Sequence, residues 1–281
     1  MAAPVAEPPQ TIAGEGGQEQ GQERRRAAYT RVAVAGLLLA ASAPALGLAA
    51  VLVAGMPLGE EGVFFGVMIV VPLLGAGLAW RFGAWAKVLA AVLSLGMGLM
   101  LHWMAFGLSY PASFADFVPG VLLPLGVVLG LGGSVAALVA HRRGHHDTAA
   151  TRGERRALGV ALAIAGLAVI GSGMASVLAH DSVEAAADAV PVTISEFAFA
   201  EGSYEVAAGE PTSMLVHNSD AFVHTFTIPE LGIDETVLPG SDVLVDVTAE
   251  PGTYTLYCRP HSNLDEPDPA EAGMAGTVIA R

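Results

Sequence analysis

The chain has 281 residues, of which 53% are hydrophobic and 14% charged, with a formal net charge of −14 and one cysteine. A lone cysteine excludes a disulfide framework, and so acidic a balance disfavours nucleic acid or phosphate as a partner. The charge is unevenly spread: residues 181–281 carry 18 acidic side chains against only Arg259 and Arg281, so an acidic end is joined to an apolar, weakly basic body.

Residues 1–30 are rich in Ala, Pro, Gln, Glu and Gly and lack a hydrophobic period, which predicts a disordered tail. Five apolar runs follow, at about Val32–Val53, Val63–Trp80, Val88–Phe106, Val118–Ala140 and Ala157–Ala179. Each is long enough to cross the hydrocarbon core of a bilayer as a helix, giving a five-helix transmembrane domain over 31–179. The first is too long for a cleaved signal peptide followed by further spans, and reads as a retained anchor. Pro44, Pro72 and Pro124 fall inside runs, where kinks are expected.

The cations set the orientation. Arg24, Arg25, Arg26 and Arg31 precede the first run, Arg81 and Lys87 separate the second from the third, and Arg142, Arg143, Arg152, Arg155 and Arg156 separate the fourth from the fifth. The other two connections hold no Lys or Arg, so all basic loops fall on one side, which the positive-inside rule makes the cytoplasm. A multi-pass protein of the cell membrane results, with a cytoplasmic N-terminus and an extracytoplasmic C-terminal domain. Trp80, Trp85 and Trp103 near the span ends fit aromatic belts, and Gly126-x-x-x-Gly130 permits close helix packing.

Two features of this body carry possible chemistry. Met68, Met97, Met100, Met104 and Met174 lie at mid-membrane or toward the outer half, and Met97, Met100 and Met104 recur at helical spacing. Thioethers suit Cu(I), although methionine is also an adaptable filler of apolar space. His102 and His180 on the outer side would be needed as a pair for haem, whereas His141, His145, His146 and Asp147 sit in a basic loop and read as solvated.

After a linker at 180–190 the period changes to two. Val192–Phe199, Ser203–Val206, Thr212–His217, His224–Ile228, Val243–Val247, Thr253–Cys258 and Thr277–Ala280 are short runs separated by Gly, Pro and Asp, which predicts an antiparallel β-sandwich over 191–281. Within it, Cys258 and His261 form C-x-x-H, His224 follows Asn218-Ser219-Asp220, and Met274 opens the last strand. A thiolate, two imidazoles and a thioether make a ligand set for one mononuclear copper ion. Zinc competes for Cys and His but normally takes several thiolates or a spaced His pair in structural sites, and one thiolate is available here. The 262–271 segment leaves the weak fourth position open between Met274 and a carbonyl or the Asn263 amide.

These residues resemble those of the cupredoxins, the blue-copper β-sandwich proteins, and of their plastocyanin-like branch in particular. The match consists of Asn-x-Asp before the first His, Tyr254-x-x-Tyr257-Cys258, C-x-x-H, and Gly273-Met274-x-Gly276-Thr277. The resemblance implies a Greek-key sandwich binding one copper through His224, Cys258, His261 and Met274. It also implies a one-electron carrier in which His261 presents its ring edge to a redox partner protein through an apolar patch, with Ala221 and Phe222 as candidates. The acidic surface would steer a basic partner. No catalytic acid–base pair or nucleophile set is legible, so an enzyme is not expected. A copper-binding protein for transport, delivery or tolerance without redox turnover is the alternative.

Overall fold

A computed structural model describes residues 26–55, 58–147, 149–179, 183, 188–263 and 273–281. The expected tail therefore lies largely outside the described residues, as do His180, most of the linker and the 264–272 segment. The apolar part folds as helices α1 (Thr30–Val53), α2 (Glu60–Arg81), α3 (Ala84–Gly98), α4 (Leu101–Ala105), α5 (Phe114–Arg142) and α6 (Arg152–Leu178). Four of the five expected spans are thus single helices long and apolar enough to cross a bilayer. The third is not: its helix stops at Gly98, turns through Leu99–Met100, and resumes as the five-residue α4 and a 3₁₀ turn, Phe106–Ser109. Gly96 and Gly98 lie in that last turn, where their low helix propensity makes an ending less costly. Met97, Met100 and Met104 accordingly do not share one continuous helix.

Pro44, Pro72, Pro119 and Pro124 all sit inside helices that continue through them. Helices α1 and α5 cross so closely that a Cβ on Gly36 would lie 2.0 Å from the backbone nitrogen of Gly130, and one on Gly126 2.5 Å from that of Ala40. The Gly126/Gly130 pair is therefore spent on this crossing.

The two ends of the bundle differ in charge. Arg26–Ala27 (β1) pairs with His146–Asp147 (β2), and the buried Glu154 accepts a hydrogen bond from the Tyr29 backbone N–H at 2.9 Å while closing a capping box with Thr151. The starts of α1 and α6 and the end of α5 are thereby tied together. Leu37 of α1 packs there with Ala76 and Ala79 of α2 and Ala90 of α3. Lys87 is buried at this end, its ammonium donating to the carbonyls of Ala79 and Phe82 and so capping α2. Arg31, Arg81, Arg142, Arg143, Arg152, Arg155 and Arg156 sit on the elements that meet at this end; Trp80 and Trp85 are exposed there, and the side chain of Trp103 lies outside the described residues.

The β-domain begins at the opposite end. Its strands are β3 (Val190–Ser195), β4 (Ala198–Phe199), β5 (Ser203–Val206), β6 (Thr212–Asn218), β7 (His224–Ile228), β8 (Ile233–Val237), β9 (Asp242–Val247), β10 (Gly252–Ser262) and β11 (Gly273–Ala280). They form a five-stranded sheet, β5-β11-β10-β7-β8, and a four-stranded sheet, β4-β3-β6-β9. The pairs β5/β11 and β3/β6 are parallel, so the sandwich is mixed rather than purely antiparallel. Alternating inward residues of both sheets, among them Ile194, Met214, Phe226, Leu256 and Val278, fill one core.

Candidate metal centre

His224 opens β7, Cys258 and His261 lie on the adjacent β10, and Met274 lies on β11 beside it, so three neighbouring strands of one sheet deliver all four residues to one end of the sandwich. The Cys258 Sγ stands 3.6 Å from His224 Nδ1 and 3.4 Å from His261 Nδ1, and the two nitrogens are 3.1 Å apart. A point equidistant from the corners of that triangle is about 2 Å from each, within the roughly 2.0–2.3 Å range of bonds from a first-row metal to imidazole nitrogen and thiolate sulfur. Among the described residues this is the one such cluster of His, Cys and acidic groups.

Its protonation state follows from its surroundings. Asp220 is buried, yet its carboxyl is held below the usual range: burial alone would raise it, but His224 and the backbone N–H groups of Phe197 and Glu196 outweigh that. An ionised Asp220 only accepts, so the 2.9 Å contact is a bond donated by His224 Nε2–H, which leaves the Nδ1 lone pair facing the triangle. Burial pushes the Cys258 thiol up to about 11, and burial followed by the nearby His224 pushes His261 down to about 4. Near neutral pH His261 is therefore an uncharged ring and Cys258 a thiol, with donor atoms converging on one point. A cation there satisfies them together, with loss of the thiol proton. One soft sulfur and two imidazoles in a trigonal array suit copper.

The loops around the triangle are fixed. Asn218 Nδ2 donates to the carbonyls of Phe222 at 2.8 Å and Val237 at 2.9 Å, while its Oδ1 accepts from the Asp220 N–H at 2.9 Å. Asp220 also accepts from the N–H groups of Glu196 at 2.8 Å and Phe197 at 3.0 Å. Those two residues take left-handed conformations, φ 54° and 56°, which non-glycine residues adopt only when held there. The turn places the half-buried Phe197 ring edge-on to both His224 (5.4 Å) and His261 (4.8 Å). Sequence reading put Phe197 inside a strand and missed it, since no Gly or Asn marks the turn. Thr225 donates its N–H to Cys258 Sγ at 3.3 Å and accepts from the Arg259 N–H at 2.9 Å. Asn218, Asp220 and Thr225 thus all bond to the loops or ligands of the site.

Met274 is fully buried in the same core as Cys258, whereas Asn263 is exposed. The insertion between His261 and Met274 is pinched at its base, where Ser262 pairs with Gly273 and its hydroxyl donates to the Met274 carbonyl. Gly273 has φ 78°, and a Cβ there would stand 2.4 Å from the His261 carbonyl oxygen, so only glycine closes the loop this tightly.

The site faces the helices. The Val223 N–H donates to Asp116 Oδ2 of α5 at 2.8 Å, across 107 residues, and Ser113 donates to the same oxygen. His261, Phe197, Phe222 and Met274 line a half-open cleft of about 1240 Å³ whose facing wall includes residues of α1, α2, α3 and α5. The expected patch residue Phe222 and the expected exit His261 therefore both border the protein's own helical domain.

Comparison with known proteins bears on the β-domain. Residues 166–266 match the family of the cupredoxin-like domain. The C-terminal domain is cupredoxin-like. The match begins within α6 and covers His224, Cys258 and His261 but stops before Met274. Solved structures similar to this chain include amicyanin from Paracoccus versutus (22% identity over 35% of this chain and 86% of that one, TM-score 0.26). Others are an oxidised amicyanin mutant (20%, 36% and 90%, 0.28) and reduced auracyanin from Roseiflexus castenholzii (17%, 34% and 99%, 0.26). No protein of curated function matches the chain.

Proposed function

We propose that the protein is a membrane-anchored blue copper electron carrier whose cupredoxin-like domain lies on the extracytoplasmic face. The observation that carries the reading is the triangle of His224 Nδ1, Cys258 Sγ and His261 Nδ1; we assign the weak fourth position to Met274, buried in the same core on the neighbouring strand. Copper, when bound, supplies a one-electron couple. The chain's own contribution is to hold the donors still. Asp220 fixes the His224 tautomer and ring, the Thr225 N–H bonds to the sulfur, and Asn218 and Gly273 pin the two ligand loops, so the donor positions persist whichever charge the ion carries. Phe197 stands edge-on against the His261 ring with Phe222 packed on Phe197, which keeps water from that side of the ring and limits solvent reorganisation when an electron arrives or leaves.

The orientation is supported by the charge asymmetry of the bundle, whose basic end is opposite the cupredoxin-like domain. A redox partner protein approaching the acidic outer surface would carry complementary positive charge. Voltammetry of the copper-loaded, full-length protein in detergent tests the carrier reading. A single reversible one-electron wave with fast exchange is expected; tight copper binding with a sluggish, irreversible couple would instead support copper handling. Protease cleavage of a C-terminal tag in intact cells tests the sidedness, with protection contradicting it.

A further inference from the structure

The cavity beneath the centre is walled on its helical side by three thioethers. Met68 comes from α2, Met97 from the last turn of α3, and Met100 from the turn where α3 breaks and the Met100 N–H bonds to the Met97 carbonyl. Met97 is buried, and Met68 and Met100 pack against the same group of side chains. Met174 is the contrast, standing 60% exposed on the outer face of α6. The opposite wall of the same cavity holds His261 and a fourth thioether, Met274.

All three methionines pack into the helical core, and all three also border the half-open cleft of about 1240 Å³ between the helices and the centre. The remaining lining indicates what the space accepts. It includes Glu196 and Asp116, the latter's Oδ2 already engaged by Ser113 and Val223, and, among the described residues, no Lys or Arg, so nothing in it attracts an anion. Thioethers are poor ligands for hard cations and good ones for Cu(I).

We propose that Met68, Met97 and Met100 form a Cu(I)-binding site in this cavity, from which the ion loads the His224–Cys258–His261 centre across the wall formed by His261 and Met274. The loading step rests on the copper reading of that centre; the thioether site does not. No electron moves: copper enters as Cu(I), and the Cys258 thiol releases one proton as its sulfur takes the ion, so one positive charge replaces another.

The test uses full-length apoprotein in detergent, titrated anaerobically with Cu(I) against a chromophoric chelator. With the centre removed in Cys258→Ser/His224→Gln/His261→Gln, one Cu(I) per chain is expected, with a sulfur-only shell by X-ray absorption. Adding Met68→Leu, Met97→Leu and Met100→Leu should abolish it. The triple methionine variant with Cys258 intact should fill the His224–Cys258–His261 centre, read by its colour after oxidation, to the wild-type level but at least tenfold more slowly and with one Cu(I) fewer per chain, and Met174→Leu should load at the wild-type rate. A protein with all three centre residues replaced that binds no Cu(I), or binds it through nitrogen, overturns the site without any methionine variant having to fold. Wild-type loading kinetics in the triple variant overturn its role in delivery. Failure of the wild-type protein to form a coloured Cu(II) centre would count against the proposed function alone, because the titration of the Cys258→Ser/His224→Gln/His261→Gln protein reads the thioether site with that centre removed.

Discussion

Replacing Asp220 by Asn keeps the shape of the side chain but converts one of its two oxygens into a donor. The native carboxylate accepts three bonds, from the Glu196 N–H, the Phe197 N–H and His224 Nε2–H, at 2.8, 3.0 and 2.9 Å. An amide can accept on one side only. If its oxygen serves the Phe197 and His224 side, the Glu196 N–H faces an NH₂ group and a buried left-handed turn loses its anchor. If it is flipped, His224 must move its proton to Nδ1, the atom that faces Cys258 and His261, and a metal must then expel it. Hydrogen bonds to charged groups contribute about 1.5–3 kcal/mol each, so the apoprotein should lose roughly 2–4 kcal/mol. For a domain of this size each kcal/mol corresponds to about 4–8 °C in Tm, so the melting transition of the cupredoxin-like domain should fall by roughly 10–25 °C. Loss of the bond that orients a ligating His typically costs about 10–100-fold in metal affinity. Thermal melts of the apoprotein and chelator competition for copper read the two effects separately. An Asp220→Asn protein with unchanged Tm and unchanged copper affinity would refute the reasoning.

Other perturbations read other parts of the site. Because the Cys258 thiol is pushed up to about 11, each copper bound releases one proton, and the apparent association constant should rise about tenfold per pH unit between roughly pH 7 and 9; a flat profile by chelator competition would contradict a thiolate ligand. His261, held neutral down to about 4, should add a second proton only below that value. Met274→Leu should keep the copper and its colour while raising the reduction potential, since a lost sulfur donor weakens Cu(II) binding more than Cu(I); a tenfold difference corresponds to about 59 mV in a one-electron couple, measurable by voltammetry. Gly273→Ala forces a Cβ against the His261 carbonyl at positive φ and should cost about 1–3 kcal/mol by thermal melt, with weakened copper binding. Asp116→Ala removes the acceptor of the Val223 N–H, so exchange of that amide should accelerate about 10–100-fold by hydrogen–deuterium exchange while copper content stays the same.

The legible parts of the sequence were those in which function or packing leaves a local pattern. Long apolar runs marked the four full spans to within a few residues, and β5 and β7 fall where alternation and turn residues put them. C-x-x-H and the Asn-x-Asp loop marked the ligand-bearing positions because a metal cluster demands particular donor types at short separations. The break in the third run was not legible, because Gly96 and Gly98 at the break resemble the glycines that α5 and α6 pass through unbroken. Strand β8, Ile233-Asp234-Glu235-Thr236-Val237, escaped because it is an edge strand paired only with β7, and its outward residues read as a loop. The capping box of Thr151 and Glu154 was present as a motif, but its burial against the start of α1 is a tertiary fact. Phe197 and Asp116 could not be found locally: each acts on the centre through residues more than 20 positions away, and neither carries a motif.

The account depends on three atoms, His224 Nδ1, Cys258 Sγ and His261 Nδ1, sharing one copper ion. The most direct measurement is the visible and electron paramagnetic resonance spectrum of the full-length protein loaded with one equivalent of Cu(II), beside that of Cys258→Ser. The wild-type protein should bind one copper per chain and show an intense sulfur-to-copper absorption that the variant lacks. A colourless wild-type Cu(II) protein, or colour that survives the loss of the sulfur, would contradict it.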